Sequence, residues 1–354
     1  MMKKILLLAT LLVSVFLTGC QRSTASKRVL MATPYSETTF SLGTVCTIRV
    51  YDKGHSQAVH DALQAVEHVN DEATLTKKGS ILDSINVDAG IRPTKVPKDF
   101  WPLIKKAVYF SKNSDGHFDL AIGAITNLWK IGLPGARVPA QSEINTALSL
   151  VNWRNVQLDD NQHTIFLTKK GMRLDFGGIA KGWAADEARK VLRKDGVTTA
   201  VIDLGGNIIV VGHSPRGASR RWRVGIQNPK ETRGNALGTI MTENKSIVTA
   251  GTYEQYLMSH GHKYIYLFDA RTGYPYDNHL ASVTIVSPKS VDGDALSNAA
   301  FAKGLAKGLR YMNRKSSQKI QAIFVTNEKK VYLTNGLKNN FKLNLSSGYS
   351  AGNF

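Results

Sequence analysis

Four short stretches of this 354-residue chain set charged or amide side chains beside glycine at the ends of apolar runs. In Val291-Asp292-Gly293-Asp294-Ala295-Leu296-Ser297-Asn298, Asp294 and Asn298 are four residues apart, so a helix would carry both on one face. A carboxylate and an amide oxygen one turn apart suit a hard cation such as Mg²⁺, which leaves its other positions to phosphate or water. Asp292 has the alternative role of a helix cap. In Arg173-Leu174-Asp175-Phe176-Gly177-Gly178-Ile179-Ala180-Lys181-Gly182, a strand end meets paired glycines and a helix start. Glycines admit close approach of backbone to a ligand. Helix N-terminal N–H groups favour phosphate, and Lys181 adds a cation. The stretch is neither a Walker A loop nor a GxGxxG dinucleotide fingerprint, and a plain strand-to-helix turn would use the same residues.

Two further stretches carry the same double reading. Val201-Ile202-Asp203-Leu204-Gly205-Gly206-Asn207 ends an apolar strand at an acid and two glycines, which also fits a hairpin capped by Asp203. Phe268-Asp269-Ala270-Arg271-Thr272-Gly273-Tyr274-Pro275 crowds acid, base and hydroxyl into a Gly/Pro turn.

The elements that must hold these stretches follow from periodicity. Residues 57–73 and 101–111 have helical spacing of apolar positions, and residues 142–150 read as a helix capped by Ser142. The Gly-rich stretch opens a helix through Lys194, and residues 294–311 read as one Ala- and Leu-rich helix. Strands are expected at 156–158, 164–167, 200–211 with a turn at 205–207, 222–226, 238–242, 264–268, 282–286 and 321–325. Alternation in Thr44-Val45-Cys46-Thr47-Ile48-Arg49-Val50 puts Cys46 on a core-facing strand face, as a small apolar residue rather than a nucleophile. Strands and helices interleave irregularly and no long period repeats, which predicts an α+β fold of mixed, largely antiparallel sheets with packed helices in a single domain.

The N-terminus sets the compartment. Lys3 and Lys4 precede an apolar run from Ile5 to Leu17, shorter than the roughly 20 residues of a membrane span and of signal-peptide form. Leu17-Thr18-Gly19-Cys20 resembles a bacterial lipobox, in which Cys20 would be lipidated and become the first mature residue. Residues 1–19 are then a lipoprotein signal peptide, 20–36 a Ser/Thr/Arg-rich tether, 37–345 the folded domain and 346–354 a tail, with the folded part beginning near Phe40. The expected location is the extracytoplasmic face of the cell membrane, held by lipid on Cys20. With Cys20 so used, Cys46 has no disulfide partner. A formal charge of +19 favours anionic surfaces; for an exported chain these are lipid and cell-wall polymer, and nucleic acid is not an expected partner. A composition of 42% hydrophobic and 21% charged residues is that of a globular chain, not a disordered one.

In this order, behind a lipobox, GGIAKG, DLGGN, D-x-RTGYP and DALS resemble the FAD:protein FMN transferases, the ApbE family, from about Phe40 to Gly308. The resemblance implies an enzyme that uses FAD and Mg²⁺ to move FMN onto a Ser or Thr hydroxyl of an exported acceptor, releasing AMP. It implies metal ligands at Gly178 (or neighbouring Ala180), Asp294 and Asn298, the last where the family usually has Thr. It also implies FAD contacts at Asp175 and Lys181, and at His117, Phe118 and Asp119 of a G-x-F-D segment. Leu42, where the family often has Met, and Thr76, beside the S-x-L-x-x-I-N segment Ser80–Asn86, join them. Thr249-Ala250-Gly251-Thr252-Tyr253 resembles a T-S-G-x-Y turn near the active site. Tyr266, which replaces a usual His, and Asp269 are the implied catalytic positions, Tyr266 also contacting the cofactor; Ala270 replaces a usual Pro. Tyrosine, with an unperturbed pKa of about 10, is a poor base at neutral pH, so a nearby carboxylate or His262 is the alternative. That departure leaves a Mg²⁺-dependent FAD pyrophosphatase or a non-catalytic flavin-binding lipoprotein as rival readings. The acceptor motif implied is D-x-x-[ST]-G-A-[ST], of which Asn344–Ser350 is only an incomplete copy.

Overall fold

The computed structural model describes residues 30–216 and 219–353; Cys20 and the expected signal peptide lie outside them. Nine strands form the main sheet, in the spatial order 30–41, 44–52, 200–204, 207–211, 245–251, 280–287, 321–326, 330–333 and 350–351. All neighbours pair antiparallel except the last two, which are parallel. Every residue of Leu280–Ser287 is buried, because this central strand is covered on both faces.

Among the described residues there are eight α-helices: α1 (Ser56–Ala73), α2 (Ile81–Val87), α3 (Trp101–Asn113), α4 (Gly123–Trp129), α5 (Gln141–Leu148), α6 (Ala180–Lys194), α7 (Ser290–Ala302) and α8 (Gly304–Asn313). On one face α1 packs on α6, α6 on α7, and α7 on strands Lys245–Gly251 and Leu280–Ser287. Their small residues, Ala62, Ala184, Ala188, Ala295 and Ala299, let helix axes approach closely in the main core. The other face packs a second core, which includes Trp222, Ile226, Leu237, Ile240 and Tyr349, against the strands Trp222–Gln227 and Ala236–Thr242. Cys46, Ile48 and Val50 are fully buried on one strand face, and burial pushes the Cys46 thiol up to about 11, so it stays protonated.

The α+β, largely antiparallel architecture matches expectation, with corrections at its margins. Residues 30–36, read as tether, belong to the strand Leu30–Ser41, whose Tyr35–Ser41 register against Thr44–Val50 ties them to the sheet edge. The tail read at 346–354 is partly built in: Tyr349 is buried, and Ser350–Ala351 pairs with Lys330–Val331. The single late helix is two, because Gly304 at φ +69° interrupts it. The helix expected from Ser142 starts at Gln141, with Glu143 accepting the Ala140 N–H at 2.8 Å in place of a Ser142 cap. The strand expected at 264–268 runs instead from His262 to Ile265, after which the chain turns toward the Phe268–Pro275 bridge.

Candidate active-site cleft

The Gly-rich loop is held from both sides. Asn86 of α2 clamps its entry, accepting the Leu174 N–H at 2.6 Å and donating to the Leu174 carbonyl at 3.2 Å. The Asp175 N–H donates to the Leu120 carbonyl at 3.0 Å, tying the loop to the His117–Asp119 segment. At its exit α6 crosses α7 at Gly182, where a Cβ would stand 2.4 Å from the Ser290 carbonyl oxygen and 2.8 Å from the Asp294 Cβ. Only glycine permits this approach, which brings the Gly182 N–H onto Asp294 Oδ2 at 2.8 Å.

Asp294 and Asn298 share a face of α7, as their spacing requires. Asn298 Nδ2 donates to the Gly178 carbonyl at 3.3 Å and to the Asp294 carbonyl at 2.9 Å. Gly178, distant in sequence, thus meets Asn298 one turn beyond Asp294. Asp294 is almost fully buried, and burial pushes its carboxyl above the ordinary range; Lys181, the Gly182 N–H and the Asn207 amide oppose that shift. Asn207 Nδ2 is itself buried without a hydrogen-bond partner of normal geometry. A buried carboxylate so placed calls for positive charge.

Two adjoining cavities open at this point. The larger, about 800 Å³, is lined by Leu42, Thr76, Asp175, Lys181, Thr249, Gly251, Asp294 and Asn298 among others. The smaller, about 70 Å³, is lined by His117, Phe118, Asp119, Gly178, Tyr276 and Ala270. Asp175, Tyr266, Leu267 and Asn298 line both and join them into one cleft. A separate hollow of about 580 Å³ lies across α4, lined by Leu128, Ala147 and Arg173 among others; Arg173, at the start of the Gly-rich stretch, is there, but none of the implied metal, cofactor or catalytic positions is.

Tyr266 and Asp175 are coupled. The phenol donates to Asp175 Oδ2 at 3.1 Å, and the Gly177 N–H donates to Asp175 Oδ1 at 2.6 Å. Burial first, then the Asp175 charge, raises the Tyr266 phenol well above 10, so Tyr266 keeps its proton and acts as a donor. At Asp119, burial pushes the carboxyl up to about 6 against the Ala121 and Trp153 N–H groups it accepts at 2.8 and 3.1 Å. His117 is lowered from its ordinary value by burial and by the Lys303 and Arg271 charges. Leu42 sits at φ +52° in the turn before Thr44, its N–H on Asn70 Oδ1 at 3.1 Å. Thr76 lies at the cleft rim and hydrogen-bonds Thr74.

Asp269 does not line the cleft, although its neighbours Phe268 and Ala270 do. Its oxygens accept Arg271 Nε at 3.0 Å, Arg271 Nη2 at 2.8 Å and the Arg271 N–H at 2.9 Å. Burial raises its pKa, but these Arg271 bonds outweigh it and hold the carboxyl below the usual range. Asp269 therefore builds the turn. His262 is exposed beside Tyr264 and lines neither cavity. Asp203 accepts the Gly206 N–H at 2.9 Å as a hairpin cap. Sequence reasoning missed Asn70, Asn86 as a clamp and Asn207 as the neighbour of Asp294; the one signal available was their amides at the ends of apolar segments.

The chain matches the model of the ApbE family over residues 42–324. It is 34% identical over 316 residues to the FAD:protein FMN transferase of Klebsiella pneumoniae, covering 89% of this chain and 96% of that protein. It is 32% identical to the FAD:protein FMN transferase of Treponema pallidum, covering 86% and 87%. Among solved structures it resembles the ApbE protein of Thermotoga maritima, with a TM-score of 0.79 and 27% identity over 86% of this chain and 98% of that one. The Pseudomonas stutzeri flavinyl transferase ApbE, 24% identical over 83% and 92%, shares the fold with a TM-score of 0.72.

Proposed function

The chain belongs to the ApbE family, and on that premise we propose that it is an FAD:protein FMN transferase. FAD is the donor substrate. The acceptor's Ser or Thr oxygen bonds to the FMN phosphorus, the P–O bond to AMP breaks, and AMP leaves with the bridging oxygen. The observation that carries this reading is the convergence of Gly178, Asp294 and Asn298 in one cleft with Asp175 and Lys181.

That donor set of carbonyl, carboxylate and amide fits Mg²⁺, which takes oxygen ligands and few carboxylates. Gly178, Asp294 and Asn298 would hold the ion, which when bound would neutralise phosphate charge. Lys181 holds phosphate electrostatically, and the loop's N–H groups orient it. His117, Phe118 and Asp119 shape the smaller cavity, while Leu42 and Thr76 close the rim of the larger. Tyr266 positions Asp175 rather than serving as base, and Asp175 Oδ2 is the atom placed to receive the acceptor's proton. Asp269 holds the neighbouring turn.

The acceptor class we propose is exported proteins with a D-x-x-[ST]-G-A-[ST] segment. Anchoring through lipid on Cys20, at the extracytoplasmic face, belongs to the same proposal and is supported by the lipobox. Among the described residues no helix is long and apolar enough to cross a membrane.

The test incubates the chain with FAD, Mg²⁺ and an acceptor domain carrying that segment. Flavin fluorescence that stays with the denatured acceptor, with one AMP released per flavin bound, is the expected result. Free FMN and AMP with no labelled acceptor would make the chain a pyrophosphatase, and unaltered FAD would leave it a binding protein.

A further inference from the structure

From residue 295 to residue 327 the chain has no Asp or Glu, yet it carries Lys303, Lys307, Arg310, Arg314, Lys315 and Lys319. Lys307, Arg310 and Arg314 fall at steps of three and four, which on a helix of 3.6 residues per turn confines them to an arc of about 60°, and Lys303 stands just before the break at Gly304. The helix is α8, with Lys303 and Arg314 bounding it. Its opposite face, Gly308, Leu309, Tyr311 and Met312, is buried, while Lys307, Arg310 and Arg314 are exposed. The stripe is therefore a free surface of fixed geometry.

The elements packed around it bring carboxylates near its two ends, Asp115 to Lys303 and Asp292 to Lys315, but not onto its middle. Among the described residues no carboxylate pairs with Lys307, Arg310 or Arg314. Asp292 is committed to Lys106 at 2.6 Å, and Asp115 acts on Lys303 without pairing with it. Burial, together with Arg314, Lys307 and Arg271, lowers the Lys303 amine, and burial together with Arg314 lowers Lys315. Lys303 and Lys315 both lie over the Tyr311 ring, at 5.0 and 4.8 Å from its centroid. Folding has thus gathered like charges whose mutual repulsion is only partly relieved, by Asp115 near Lys303 and Asp292 near Lys315.

The stripe is also continuous with the cleft. Lys303 Nζ donates to the Ser114 carbonyl at 2.9 Å, the same carbonyl that accepts the N–H of His117, a wall of the smaller cavity, at 3.3 Å, and the largely exposed Arg271 follows Ala270 of that wall. A track of cations so runs from the cleft mouth along α8. A flat lipid surface does not reach into a cavity, whereas a folded partner presenting a hydroxyl to the cleft must lie across its rim.

We propose that the α8 stripe docks an acidic face of the acceptor protein and steers it to the cleft. This rests on the transferase reading. Charge complementarity of this kind acts mainly on encounter and is screened by salt.

The test compares the wild type with the triple variant K307E/R310E/R314E in flavin transfer to an acidic acceptor domain, with vesicles of phosphatidylcholine and phosphatidylglycerol as a second probe. FAD affinity, read by flavin fluorescence, should match the wild type within about twofold and so report an intact fold and cleft. The KM for acceptor should rise about tenfold or more, and wild-type kcat/KM should fall as NaCl goes from about 20 to about 200 mM while the variant's stays flat. An unchanged acceptor KM and salt dependence in the variant would overturn the proposal. So would loss of vesicle binding with acceptor KM intact, which would assign the stripe to lipid. A wild type that binds FAD but labels no acceptor would sink the transferase reading, and this inference with it.

Discussion

The Asp294 carboxylate holds the α6 N-terminus through Gly182 and faces Lys181, while its main-chain carbonyl accepts from Asn298 one turn along. Asp294→Ala should leave the fold intact and reduce Mg²⁺-dependent transfer about a thousandfold or more, the scale of a lost metal contact of several kcal/mol. Substantial residual turnover at saturating Mg²⁺ would remove Asp294 from the ligand set. Asp119 gives a second, pH-based expectation. Its carboxyl sits at about 6 in the fold and 3.8 unfolded, so the folded state binds the extra proton. Ionisation therefore destabilises the fold increasingly as pH rises from about 4 to about 6, and uniformly above. Urea denaturation of wild type and Asp119→Asn should show the wild type losing ground against the variant across that window; a pH-independent difference would contradict it. The pairing of Asp294 with Asn298 was legible because spacing fixes a helical face. The roles of Asp269 and Tyr266 were not, since a sequence shows a charge but neither the Arg271 that occupies it nor the burial that locks a phenol's proton.

Among elements, α6 and α7 do most to place the site, and their contact depends on Gly182. Gly182→Ala would push a methyl group to within 2.4 Å of backbone that has no free space. The expected outcome is a loss of about 1–3 kcal/mol in stability, with Mg²⁺ dependence shifted to higher concentration as the Gly182 N–H leaves Asp294. A variant of wild-type melting temperature and Mg²⁺ response would show that the helices can separate freely. Long amphipathic elements such as α1 and α3 were readable because periodicity accumulates over several turns. The short α2 and α4 were not, nor was the break at Gly304, where one positive φ ends a pattern that stays apolar on both sides. At strand Leu30–Ser41 polar composition suggested a tether, but edge strands are often polar on their open side, and pairing with Thr44–Asp52 decides the matter.

Across the whole molecule the cleft lies on the side of the α1, α6 and α7 core, while the chain's end seals the opposite one. Tyr349 fills the second core beside Trp222, Val331 and Leu337, and Ser350–Ala351 extends the sheet next to Lys330–Leu333. Removing residues 346–354 should therefore cost stability without touching the site. Deleting one buried aromatic side chain is worth about 3–5 kcal/mol, and the lost strand exposes the edge at Lys330–Leu333. The truncated chain should melt well below the full one and aggregate more readily on warming. Well below its own melting point it should still bind FAD with the affinity of the full chain, because among the described residues none that lines the cleft lies beyond Asn298. Thermal melts and flavin-fluorescence titrations on both chains separate these effects. Equal melting temperatures would return residues 346–354 to the status of a loose tail, and weakened FAD binding in the cold would mean that the two cores are coupled through the central strand Leu280–Ser287.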